Sequence, residues 1–256
     1  MKVWFIGAGP GDPELLTLKA ARRIAQCPVC LYAGSLVPAE VVAGAPEGAL
    51  VMDTAPMTLA ETHAEICAAR ERGEDVARVH SGDPSLYGAI AEQIRLLNRD
   101  GIDFEIIPGV PAYTAAAAAL KQELTIPEVA QSIVLTRMSM QSTGMPEGET
   151  LTNFAVSRTT LAIHLAIRNL REIERQLIPH YGADCPVAVI YRASWPDEIV
   201  LRGTLSDIRA KVRAAKITRT ALILVGSALA SVTDFKDSAL YDPNEEHILR
   251  VKKAAS

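Results

Sequence analysis

Two α/β domains, the first with a mostly parallel sheet and the second with a mixed one, are predicted from three observations. Short β-rich runs alternate with helical ones through the first hundred-odd residues, Gly- and Pro-bearing turns fall where strands give way to helices, and the pattern changes after Leu124-Thr125-Ile126-Pro127. Such alternation implies strands flanked by helices. A chain of 256 residues is long enough for two cores, and the expected division is residues 1–114 and 115–256.

The elements follow in order. Val3–Ile6 opens as a strand, and a helix is expected over Glu14–Ala25, with Asp12 as its cap and Pro13 at its first position. Strands are expected at Val29–Tyr32, Asp75–Val79 and Asp103–Ile107, and helices at Leu59–Arg72 and Ala89–Asp100. In such sheets the loops leaving the carboxyl ends of strands build the ligand site. Three of them, Gly7 to Pro13, Ser81 to Pro84 and Pro108 to Ala112, should lie side by side. The alanine-rich run Ala112 to Leu120 is a helix leading toward the second domain. There, strands are expected at Ser132–Thr136, Thr160–Leu165, Val187–Tyr191, Ile199–Leu201 and Ala221–Gly226, some antiparallel, with helices at Leu170–His180 and Leu205–Ala214. Polar Met138 to Thr150, holding Gly and Pro, reads as a loop over a cleft.

Composition excludes several function classes. With 49% hydrophobic residues, 22% charged residues and a net charge of -4, the chain is neither disordered nor suited to coating nucleic acid, and it has no basic tract. Apolar stretches such as Ala112 to Leu120 and Ala221 to Val225 fall short of the ~20 residues that span a bilayer. Met1 and Lys2 lead straight into Val3 without a secretory pattern, so a cytoplasmic location is expected. Cys27-Pro28-Val29-Cys30 has redox spacing, but it follows a helix, leads into a strand and has no second pair, so buried structural thiols are expected. The five histidines show no pair within one helical turn, and no metal is expected.

The loop Gly7-Ala8-Gly9-Pro10-Gly11-Asp12 invites a dinucleotide reading. Asp12 opposes it, putting a carboxylate where a pyrophosphate would sit, and the second strand ends Leu31-Tyr32-Ala33 without the acid that would take a ribose. Ser81-Gly82-Asp83-Pro84 and Pro108-Gly109-Val110-Pro111 are each ordinary turns in isolation. Together the three turns make a groove of backbone amides and carbonyls suited to a neutral adenosine and an amino-acid group.

In FIGAGPGDPELLTLKAAR, LYAGSLVP, VHSGDPSLYGAIAEQ, IPGVPAYTAAAAALKQELTIPEVAQ, YRASWPDE, RTALILVG and the final LYDP, the chain resembles the S-adenosylmethionine-dependent tetrapyrrole methyltransferases of the cobalamin and siroheme pathways. The resemblance spans nearly the whole chain. Ser81 stands where the siroheme branch carries a second Gly, Leu86-Tyr87-Gly88 replaces its FGR-like continuation, and YAGSLVP and ASWPDE resemble the cobalamin branch. The resemblance implies a homodimer in which a bent S-adenosylmethionine lies between the two domains with the macrocycle beside it. Carried over by position, cofactor contacts come from Pro10, Ser81, Gly82, Asp83, Leu86, Pro111 and Ala112, with further contacts near Leu165, Arg192 and Ala221 of the second domain. Asp83 is the expected partner of the cofactor's ammonium group or ribose.

The loops expected to face the macrocycle hold Tyr32, Ser35, Tyr87 and Tyr113, while Arg137 and Arg192 suit its carboxylates. Methyl transfer from a sulfonium has a neutral leaving group, so no side chain is singled out as catalytic. Two departures bear on the substrate. Met138-Ser139-Met140-Gln141-Ser142 replaces the family's usual Gly-Arg pair, and Asn244 to Arg250 lacks Phe around its His.

Overall fold

Side chains along β1 (Lys2–Gly7) alternate between two apolar clusters, Val3 and Phe5 facing one and Trp4 and Ile6 the other. A strand buried on both faces belongs inside a sheet covered by helices. The computed structural model describes residues 1–138, 144–230, 235, 237 and 238, and divides them into two compact units. Four of the five residues of the expected Met138 to Ser142 departure, the tail 244–250 and the LYDP segment lie outside the described residues.

The first unit comprises Met1–Ala119 together with Arg192–Ile199. Its sheet adds β2 (Val29–Tyr32), β3 (Leu50–Asp53), β4 (Val76–His80) and β5 (Asp103–Ile107) to β1 in the order β3-β2-β4-β1-β5, all pairs parallel. Helices α1 (Leu18–Ile24) and α2 (Ala39–Val42) bury Ala20, Ile24, Val41 and Val42 on the face of Trp4 and Ile6. Helices α3 (Leu59–Glu71) and α4 (Ala91–Asp100) bury Ile66, Ala69 and Leu97 on the face of Val3 and Phe5. The last helix, α5, covers Ala112–Leu120. Because β4, β1 and β5 are neighbours, their carboxyl ends place three loops together.

The expected single helix over Glu14–Ala25 is two elements. Asp12 caps a 3-10 turn at Pro13–Leu15, Leu16 and Thr17 are extended, and the Thr17 side chain then accepts from the Ala20 amide to cap α1. A second good N-cap inside an apolar-periodic run restarts the helix instead of letting it continue. Helix α2 and edge strand β3 have no counterpart in the sequence expectation. Pro38, Gly44, Pro46 and Gly48 punctuate that stretch, and β3, exposed at Leu50 and Val51, lacks the alternation of a half-buried strand.

The second unit has its own sheet in the order β6-β7-β10-β8-β9, formed by β6 (Ile133–Arg137), β7 (Thr160–His164), β8 (Pro186–Tyr191), β9 (Ile199–Thr204) and β10 (Ala221–Val225). Strand β6 runs parallel to β7, whereas β10 is antiparallel to both β7 and β8, so the sheet is mixed as expected. Between β6 and β7 lies a short helix, α6 (Leu151–Ala155), capped by Thr150 at the end of the expected loop. The core joins Leu161, Ile163, Val189 and Ile223 to Leu170, Ile173 and Leu177 of α7 (Leu170–Tyr181) and Ile208 and Val212 of α8 (Ile208–Ala214). Among the described residues no helix is long and apolar enough to cross a membrane.

Candidate functional site

The three loops meet at three glycines. A Cβ on Gly109 would sit 2.1 Å from the Gly82 carbonyl oxygen, and one on Gly7 would sit 2.5 Å from the Gly109 nitrogen and 2.7 Å from that same oxygen. No side chain fits these separations, so glycine is required by backbone approach. Gly9 and Gly82 form an antiparallel bridge, with Gly82 N–H donating to the Gly9 carbonyl at 2.7 Å and Gly9 N–H to the Gly82 carbonyl at 3.2 Å. Ala8 N–H donates to the His80 carbonyl at 2.7 Å. Gly82 is left-handed at φ 62°, facing Pro111 and Ala112. The expected side-by-side packing of the loops is therefore observed, and it runs through backbone.

Asp83 fastens the second and third loops. Its Oδ1 accepts from the Ser85 amide at 2.8 Å and from the Ser85 hydroxyl, and its Oδ2 accepts from the Gly109 amide at 2.9 Å. Partial burial raises its pKa, but the Ser85 and Gly109 hydrogen bonds outweigh that and leave the carboxyl below its usual range. Asp83 is thus an ionised tie across 26 residues of sequence. The three loops, read together, carry Asp12 and Asp83 and no Lys or Arg.

A second feature was invisible in the sequence. Arg192–Ile199 leaves the second unit and packs with the first, so Arg192 belongs to the first unit and not to the second domain as expected. Trp195 Nε1–H donates to the Pro10 carbonyl at 2.8 Å, and the Asp12 amide donates to Ser194 Oγ at 3.0 Å. The Trp195 ring lies against Gly11, where a Cβ would come within 2.2 Å of it. The Arg192 guanidinium stacks on that ring at 3.9 Å and pairs with Asp197 at 3.0 Å. The motif ASWPDE gave a signal, but only as a family signature.

Other predicted residues fall into two groups. In the first unit, Tyr32 ends β2 and its carbonyl accepts from the Thr54 amide at 2.8 Å, with exposed Ser35 in the following turn. Leu86 N–H closes a turn on the Asp83 carbonyl at 3.1 Å, Tyr87 is exposed at φ 57°, and Tyr113 is half-buried in the first turn of α5. All stand at or just beyond the carboxyl edge of the first sheet. In the second unit, Arg137 ends β6 opposite His164, exposed Leu165 follows β7, and Ala221 opens antiparallel β10 opposite Tyr191. These three share one end of the second sheet. Arg137 also donates to the Gly144 carbonyl at 3.2 Å.

Two buried basic groups lie just before the second loop. Arg78 donates to Gln93 Oε1 at 2.9 Å and to the Leu31 carbonyl at 3.2 Å, and burial lowers its pKa to about 10, so it stays charged. For His80, burial and then the Arg78 charge push the imidazole down to about 3, which keeps it neutral, and its Nε2 has no hydrogen-bond partner among the described residues. Cys27 and Cys30 are buried free thiols, pushed up to about 12 and about 11 chiefly by burial, which makes them inert as expected.

Comparison with known proteins places these features. Residues 2–209 match the family described as Tetrapyrrole (Corrin/Porphyrin) Methylases. The chain is 57% identical over 250 residues to the precorrin-4 C(11)-methyltransferase of Pseudomonas aeruginosa, covering 98% of this chain and 99% of that one. A solved cobalt precorrin-4 methyltransferase superposes with a TM-score of 0.87 at 43% identity, over 90% of this chain and 96% of the other. A uroporphyrin-III C-methyltransferase from Thermus thermophilus, solved in complex with S-adenosylhomocysteine, gives a TM-score of 0.74 at 28% identity, over 90% and 93% of the two chains.

Proposed function

The chain belongs to the tetrapyrrole (corrin/porphyrin) methylase family, and from that premise we propose that it transfers a methyl group from S-adenosylmethionine to C11 of precorrin-4 in cobalamin biosynthesis. The observation that carries this reading in the structure is the meeting of Gly7, Gly82 and Gly109, which presents backbone amides and carbonyls at the carboxyl edge of a parallel sheet. That surface fits the donor. With Asp83 ionised and no basic side chain in the three loops, it favours a sulfonium and an ammonium group and disfavours a pyrophosphate.

When bound, the donor supplies an already activated methyl group with a neutral leaving group. The protein's part is to bind and to aim, and proximity and orientation are worth up to ~10 kcal/mol. Pro10, Ser81, Gly82, Pro111 and Ala112 hold the donor through backbone, Leu86 adds apolar contact, and Leu165 and Ala221 contribute from the second unit. Asp83 fixes the second loop against the third while adding negative potential. Tyr32, Ser35, Tyr87 and Tyr113 offer rings and hydroxyls to the macrocycle, and Arg137 meets one of its carboxylates. Arg192, expected as a cofactor contact, stacks its guanidinium on Trp195, whose indole donates to the Pro10 carbonyl of the glycine loop, and so stands beside the proposed donor site. A homodimer in the cytoplasm, acting on the metal-free substrate, completes the proposal. The 57% relative is named for precorrin-4, whereas the less similar solved structure is named for the cobalt form.

Isothermal titration with S-adenosylhomocysteine tests the donor site, and a folded protein that takes up none overturns it. Incubation with precorrin-4 or its cobalt form, followed by NMR location of the new methyl carbon, tests the substrate and position. Methylation of another carbon, or turnover of the cobalt form alone, corrects the assignment.

A further inference from the structure

Away from the three loops, on the face covered by α3 and α4, His63, Cys67 and Asp100 bring a nitrogen, a sulfur and an oxygen within 4.8 Å of one another. His63 and Cys67 are four residues apart on α3, so both project from one face of the helix. Asp100 is the last residue of α4 and meets them from the other side, its Oδ2 lying 2.6 Å from His63 Nε2. The sequence expectation of no metal looked for two histidines in one turn. The fold instead pairs a histidine with a cysteine and adds a carboxylate from 33 residues further along.

We propose that His63, Cys67 and Asp100 form a three-ligand site for a zinc-class transition-metal ion that ties α3 to α4, with water in the fourth position. The donor set selects this class: imidazole and thiolate suit zinc, and a single carboxylate does not suit calcium or magnesium, which take more oxygen ligands. Zinc–ligand distances of about 2.0–2.3 Å require donors about 3.3–3.8 Å apart in a tetrahedron. With all three donor atoms within 4.8 Å of one another and His63 Nε2 2.6 Å from Asp100 Oδ2, side-chain adjustment alone reaches that arrangement.

The surroundings suit a ligand shell. Arg99 donates to both carboxylate oxygens of Asp100, Nε to Oδ1 at 2.7 Å and Nη2 to Oδ2 at 2.8 Å, and Arg70 donates to the Asp100 carbonyl at 2.6 Å. Such outer contacts orient a ligating carboxylate, as they do in established metal sites. His63 is buried, Cys67 packs half-buried against the α3/α4 core, and Asp100 keeps an edge open to solvent through which an ion enters. Binding displaces the thiol proton of Cys67 to solvent.

The test uses full-length protein free of tetrapyrrole, stripped with a chelator and titrated with Co²⁺ as a spectroscopic probe. A thiolate-to-metal charge-transfer band in the near ultraviolet, saturating at one equivalent and bleached by Zn²⁺, is expected. Cys67→Ser keeps the His63–Asp100 contact and therefore the fold, and it should abolish the band. His63→Ala should weaken Co²⁺ binding at least tenfold. Absence of the band in the wild type, or its survival in Cys67→Ser, overturns the proposal, the latter by moving the thiolate to Cys27, Cys30 or Cys185.

Discussion

Single residues at the site act through backbone proximity more than through side-chain chemistry. Gly109→Ala places a Cβ against the Gly82 carbonyl at a separation the loops cannot absorb without moving. Overpacking of this kind costs typically about 1–3 kcal/mol, so a lower thermal midpoint and weaker S-adenosylhomocysteine binding are expected together. Gly44→Ala is the control, because nothing lies within 4 Å of its added Cβ. Equal midpoints for the two variants would show that the loops are loosely packed. Asp83 makes a complementary case. Its replacement by Ala leaves the part-buried Gly109 amide without an acceptor, a loss of about 1–3 kcal/mol, whereas Asn, with its one oxygen turned to Gly109, keeps that acceptor and removes the charge. If Asp83→Asn retains stability and loses affinity, the charge acts on the donor; if affinity follows stability in both variants, Asp83 is a tie only. The sequence made Asp83 conspicuous through its Gly-Asp-Pro turn. It could not reveal the bond to Gly109, because the parallel crossover that joins them is a tertiary fact.

Among the elements, most strands and the longer helices were legible, and the heavily punctuated stretch that holds α2 and β3 was not. Strands β2 and β5 coincide with their expected bounds because Ala33-Gly34 and Pro108-Gly109 end them, and α5 coincides with the alanine-rich run that marked it. The break at Thr17 was hidden by its neighbours, since Leu15, Leu16 and Leu18 continue an apolar pattern while the capping hydroxyl alone restarts the helix. Arg192–Ile199 was misplaced for a different reason. Position in the chain put it in the second domain, but Trp195 finds its hydrogen-bond acceptor at Pro10 and its packing surface at Gly11. Trp195 and Trp4 are the two tryptophans of the chain. Titration with S-adenosylhomocysteine should therefore change the wild-type emission, because Pro10 is both a proposed donor contact and the acceptor for the Trp195 indole. In Trp195→Phe that change should vanish while the ring's packing is retained. An undiminished signal in Trp195→Phe would assign the change to Trp4 and detach the arm from the donor site.

At the scale of the whole molecule, each unit carries a histidine whose pKa is pushed down and whose titration couples acid to stability, His80 in the first and His164 in the second. Burial, with Arg78 adding repulsion, pushes His80 of the first unit down to about 3, and burial pushes His164 of the second down to about 4. Both shifts are depressions, so between the ordinary histidine value near 6.5 and these lower ones the unfolded chain binds a proton that the folded chain does not. The stabilisation is fully present above about pH 6.5 and is lost as the pH falls toward the folded values. Each unit of pH in that window removes about 1.4 kcal/mol per histidine, or roughly 2 kcal/mol by pH 5 from each unit of the protein. Ionised carboxylates such as Asp83 and Asp100 add their own loss only at lower pH, below the usual carboxylate range. Urea midpoints measured at pH 7.5 and pH 5 should therefore fall, before the carboxylates begin to protonate. Replacing His80 with Phe, which cannot take up a proton, should flatten the response of the first unit. Its neighbour Phe5 already meets the His80 ring, with centroids 5.9 Å apart, so an aromatic replacement keeps the contact. A midpoint unchanged between the two pH values in the wild type would mean that water reaches both imidazoles and that neither core is as dry as the packing of β4 and β7 requires.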